Sequence, residues 1–128
     1  MSKLPMIARY LLGFILFVFG LNGFIGFLPA PELAGPAADF FGTIMESHVW
    51  TLVKGFEVII GLMLLTGRFV PLALVMLVPI SLNIVTFHLA LDPANIAPGA
   101  LVAILNVYLL FANIDVYRPL LRATQPKK

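Results

Sequence analysis

Lys54 and Glu57 lie three residues apart inside an apolar run, VWTLVKGFEVIIGLMLLTGRF at 49–69, that is long enough to cross a bilayer. At that spacing both side chains share one face of a helix, and Gly61, four residues beyond Glu57, leaves room there for another helix or a ligand. A central Lys or Asp costs about 2.5 to 3.5 kcal/mol on a membrane-insertion scale, while each Leu, Ile, Val or Phe returns roughly 0.3 to 0.6 kcal/mol. The two sides nearly cancel, so the charged face has to be covered by neighbouring helices or by water in a cavity. Two chemistries fit the pair: a neutralising ion pair, or a binding or proton-handling site, the usual suspicion for ionisable groups at membrane depth.

Other polar side chains extend the candidate set. Histidine changes charge near neutrality, so His88 could exchange a proton with Glu57 or with a ligand oxygen. Asn22, Asn83 and Asn106 can hydrogen-bond between helices or hold a polar head group, and Asn83 shares a face with Thr86. His48 and His88, with Glu46 and Asp92 in reach, lack a ligand spacing such as His-x-x-x-His, and no metal site is expected. Trp50 and Tyr10 read as anchors at opposite membrane interfaces. The chain contains no cysteine, which excludes a disulfide, a thiol nucleophile and a Cys-ligated iron–sulfur centre. Any redox work needs a bound cofactor or a partner. There is no phosphate loop, nucleophile triad or carboxylate pair.

An all-α membrane scaffold has to position these residues. The 128-residue chain is 61% apolar and 11% charged, with a mean hydropathy of +1.05, far from an ordinary soluble domain. The net charge of +2 forms no basic stripe, so nucleic acid is not an expected partner. The pattern predicts spans at 7–27, 49–66, 71–91 and 99–114: a single domain over 1–128 built as a four-transmembrane-helix bundle. The first span is too long for a secretory h-region and is followed by no good cleavage site, so it reads as a retained helix. After a turn-rich connection at 29–36, the chain from Pro36 places Ala37, Phe40, Phe41, Ile44, Met45 and His48 on one helical face. Asp39, Thr43, Glu46 and Ser47 fall on the other, which predicts a short outer amphipathic helix that lies along the membrane surface or caps the bundle.

Charge then sets the orientation. Lys3 and Arg9 precede span one, Arg68 separates spans two and three, and Arg118, Arg122, Lys127 and Lys128 follow span four. The remaining loops carry Glu32, Asp39, Glu46 and Asp92 and no Lys or Arg, so both termini are expected in the cytoplasm. At about 1.5 Å per residue, Asn22 lies roughly 8 Å below the outer end of its span, Lys54 and Glu57 roughly 8 and 12 Å, His88 and Asn83 roughly 5 and 12 Å, and Asn106 roughly 10 Å. All four helices therefore place polar groups in the outer half, which predicts one outward-facing polar pocket.

Several pieces resemble the DoxX-like family of small bacterial membrane proteins: Arg9 with Leu12 and Gly13, FGLNGF at 19–24, PAPELAGPAADF at 29–40, the long run at 52–74, and Asn83 with FHLALDP at 87–93. The resemblance implies a four-helix bundle in the bacterial inner membrane and marks Asn22, Lys54, Glu57, Asn83 and His88 as motif positions. Asn106 belongs to it less securely. It also implies a link to quinone-coupled oxidation or thiol-redox systems. Together with the pocket, it leads to the expectation of an accessory subunit that binds a quinone or similar polar-headed lipid, beside a redox partner protein or a second copy of the chain. A small solute transporter or metabolite-binding protein, and a ligand-free membrane scaffold, are the alternatives.

Overall fold

The computed structural model of the chain describes residues 3–28 and 32–124. Residues 29–31 of the expected connection, and Lys127 and Lys128 of the basic tail, lie outside the described residues. The fold is all-α, with no strand among the described residues. Helix α1 is Leu4–Ile25, α2 Pro36–Glu46, α3 Val49–Thr66, α4 Val70–Leu91, α5 Ala97–Ala112 and α6 Ile114–Tyr117, with 3-10 turns at Pro93–Asn95 and Arg118–Leu121.

Local chemistry sets most boundaries. Pro stands in the first turn of α1, α2, α4 and α5, where its missing N–H costs nothing and its fixed φ suits the helix. Helices α1 and α3 end at Gly26 and Gly67, whose φ values of 73° and 72° are left-handed and open to glycine without strain. At the first of these ends the Asn22 side chain accepts a hydrogen bond from the Leu28 amide at 2.7 Å, so it serves to cap α1. His48 does not join the α2 face as the pattern predicted. It stands exposed at φ 65°, as the residue from which α3 starts.

Three helices, α1, α3 and α4, are each long and apolar enough to cross a membrane. Helix α5 joins them when it is taken with Ile114–Leu121, which is bent 75° away from it. The expected span at 99–114 thus stops short of its predicted end. Asn113 is the cause: its side chain donates to the Leu109 carbonyl at 2.8 Å, and its backbone leaves the helical region at φ −111°. Tyr117 then ties the bent segment to the start of α4 by donating to the Pro71 carbonyl at 2.7 Å.

The long helices touch in a closed circuit, α1 on α3, α3 on α4, α4 on α5 and α5 on α1, and the α1–α3 seam is the most extensive. Leu12, Leu16, Ile60, Leu64, Leu74, Leu77 and Leu109 fill the apolar core. This core occupies the half of the molecule that holds the α3–α4 turn. The first half of α3, with Lys54 and Glu57, lies beyond it. Outward-facing Phe14, Ile59, Leu82, Leu89, Ile104 and Phe111 are all more than half exposed, an apolar exterior suited to lipid.

Candidate functional site

The α1–α3 seam brings Lys54 and Glu57 together, and glycine is what makes the seam close enough. A Cβ on Gly61 would sit 2.8 Å from the Phe17 backbone nitrogen and 2.9 Å from the Gly13 carbonyl oxygen. On Gly20 it would meet Val58 at 2.8 Å, and on Gly23 it would overlap the aliphatic stem of Lys54. Lys54 therefore lies flat against α1, with its charge folded back over its own helix.

Lys54 and Glu57 are only 9% and 4% exposed. Nζ of Lys54 donates to Oε1 of Glu57 at 3.3 Å, and stands 4.3 Å from the centre of the Trp50 ring. An ammonium–carboxylate bond ordinarily closes to about 2.7–2.9 Å, so this one is long. The ammonium has three N–H groups, and among the described residues Glu57 is its one hydrogen-bond acceptor and Oε2 of Glu57 makes no hydrogen bond. The pair neutralises itself yet keeps a donor and an acceptor to spare.

Aromatic side chains connect this pair to His88. Phe41 of α2 meets Trp50 edge-on at 4.6 Å, its neighbour Phe40 stacks on Phe87 of α4 at 5.5 Å, and Phe87 meets the His88 ring at 5.2 Å. Helix α2 thus lays two consecutive phenylalanines across the ends of α3 and α4. The Ile84 carbonyl, 2.8 Å from Nδ1 of His88, can only accept, so Nδ1 carries a proton and donates it there, and Nε2 is left facing away from this bond. Trp50 was expected as an interfacial anchor, and the structure places it on Lys54. Its position four residues before Lys54 was the available signal, since that spacing shares a helix face. Nothing in the pattern pointed to Phe40, Phe41 and Phe87 as the connection.

The chain matches none of the known families, curated proteins or solved structures with which it was compared.

The remaining candidates stand apart from one another. Asn22 caps α1, next to the Gly23 that faces Lys54. Asn106 is 1% exposed at the α4–α5 seam, accepting from Ser81 at 3.1 Å and donating to the Leu74 carbonyl at 3.0 Å. Pro79 lies one turn along α4, where its missing N–H leaves the Val75 carbonyl without its helical donor. A groove of about 210 Å³ runs over this seam, walled by Val78, Leu82, Val85 and Val107, with Ser81 and Asn106 also in its lining. Asn83 is exposed on the outer side of α4 and donates to the Pro79 carbonyl at 2.7 Å. Among the described residues no three His, Asp or Glu side chains gather as a metal site.

Proposed function

We propose that this is a DoxX-like inner-membrane protein of a bacterium, a four-helix bundle with both termini in the cytoplasm and α2 lying along the outer face. In this reading it is an accessory subunit of a redox system, and the end of the bundle around Lys54, Glu57, Trp50 and His88 binds a quinone or a similar ring with polar oxygens. The orientation rests on Lys3, Arg9, Arg68, Arg118 and Arg122 at one end against Glu32, Asp39, Glu46 and Asp92 at the other. The family assignment rests on the motifs around Asn22, on the run through Lys54 and Glu57, and on the segment leading to His88.

One observation carries the ligand: a largely buried ion pair with a donor to spare on Lys54 and, among the described residues, an unused but still accessible acceptor at Oε2 of Glu57, set beside an aromatic array. A pair serving only neutrality gains most by closing fully, because each desolvated charge is costly until its remaining bonds are made. Lys54 can donate to a carbonyl oxygen of the ring, and Oε2 of Glu57 can accept from the hydroxyl of the reduced form. Trp50 and Phe41 offer faces and edges for a flat ring. The bound ring supplies the two-electron redox chemistry; the protein holds and orients it.

Trp50 is the only tryptophan in the chain, so its fluorescence reports this site alone. Titrating the protein in lipid nanodiscs with a short-chain quinone should quench Trp50 saturably, and Lys54→Ala should remove the saturable part. Quenching that rises linearly and equally in both proteins would reduce the effect to partitioning into lipid and overturn the assignment.

A further inference from the structure

We propose that the protein is a homodimer across the outward face of α4, with Asn83 of each copy hydrogen-bonded to Asn83 of the other. Leu72, Pro79, Asn83, Thr86 and Ala90 are exposed and, at 100° per residue, lie on the side of α4 opposite the buried Leu74, Leu77 and Ser81. Asn83 is about 4 Å along the axis from the midpoint of this 22-residue helix, at a depth where lipid offers no hydrogen bond. Among the described residues its amide makes one bond, to the Pro79 carbonyl of its own helix, which leaves Oδ1 and the second N–H unused there. The Thr86 hydroxyl, three residues on, makes no hydrogen bond among the described residues.

A second copy is the occupant that fits this face. Two parallel chains related by a two-fold axis along the membrane normal set Asn83 against Asn83 at equal depth. An amide is both donor and acceptor, so one pair of residues satisfies both unused groups reciprocally. Ala90 and Thr86 are small enough for the helices to approach, and Leu82 and Leu89, 62% and 64% exposed, border the contact on its α5 side. The inference is independent of the ligand at Lys54.

The absence of cysteine makes the test direct. Thr86→Cys and Ala90→Cys, each oxidised in membranes, should give a covalent dimer of twice the 14.0 kDa chain, while Ile59→Cys on α3 and Ile104→Cys on α5 should not. Single-molecule photobleaching of labelled protein in dilute liposomes should show two-step traces. Asn83→Leu should weaken dimerisation at least about fivefold, as loss of an interhelical amide bond requires, and Asn83→Gln should retain most of it. Trp50 emission at the wild-type wavelength would establish that Asn83→Leu is folded, and the cysteine pattern does not depend on that variant. Equal cross-linking from all four positions, single-step traces from the purified protein, or an unchanged dimer fraction in folded Asn83→Leu would each overturn the proposal; single-step traces would assign the face to lipid or to a different protein.

Discussion

The two polar seams of the molecule solve the same problem in opposite ways. Between α1 and α3 the polar groups are charged, lie on one helix, and depend on glycines opposite them for space. Between α4 and α5 they are neutral, lie on different helices, and use Ser81, Asn106 and the Leu74 carbonyl as a linked set. The neutral seam ties one helix to another with the amide bonded through both its oxygen and its nitrogen. The charged seam ties α3 only to itself and keeps capacity in reserve. Helix association is thus assigned to the neutral groups and to close glycine packing, which leaves Lys54 and Glu57 available for a ligand.

The sharpest way to break this contrast is to strand one charge. Glu57→Leu leaves Lys54 buried with only the Trp50 face, and we expect a loss of about 3–5 kcal/mol in reversible unfolding from mixed micelles. Lys54→Met combined with Glu57→Leu should recover most of that stability while abolishing saturable quinone quenching of Trp50. A combined variant that still binds would move the ligand away from the pair. Next in size, Gly61→Ala forces a methyl group against the Phe17 and Gly13 backbone and should cost about 1–3 kcal/mol. Gly55→Ala, whose methyl would meet nothing within 4 Å, should cost nothing. Equal effects at both positions would mean that the α1–α3 contact is looser than the geometry requires.

How much of this is legible in the sequence depends on whether a feature is local. Apolar runs, first-turn prolines and the stops at Gly26 and Gly67 act within a few residues, so the long helices can be read directly. The Lys54–Glu57 contact is equally legible, because three residues on a helix determine it. Depth also follows from counting residues, but direction around the helix does not. Helix α4 is apolar on nearly all sides, so its pattern does not separate the buried Ser81 from the exposed Asn83. That is why Asn22, Asn83, His88 and Asn106, close in depth, could be expected in one pocket and yet have separate partners. The Ser81–Asn106 bond joins residues 25 apart and exists only through the way α4 crosses α5.

The α4–α5 seam can be tested in two steps of decreasing size. Asn106→Leu removes both bonds at once, leaving the Ser81 hydroxyl without its acceptor and the Leu74 carbonyl without its side-chain donor. We expect a cost of about 1–3 kcal/mol in the same unfolding measurement. Ser81→Ala is gentler, since Asn106 keeps its bond to the Leu74 carbonyl and loses only the donor to its oxygen, at about 0.5–1.5 kcal/mol. If the two variants cost the same, the amide must turn away from Leu74 once Ser81 is gone, and the three groups act as one unit. Ser81→Ala also gives Asn106 a single unused acceptor, the condition Glu57 already has in the other seam. The Trp50 titration should stay at its wild-type midpoint in that variant, because the proposed ligand rests on Lys54, Glu57 and Trp50, and Ser81 bonds to none of them.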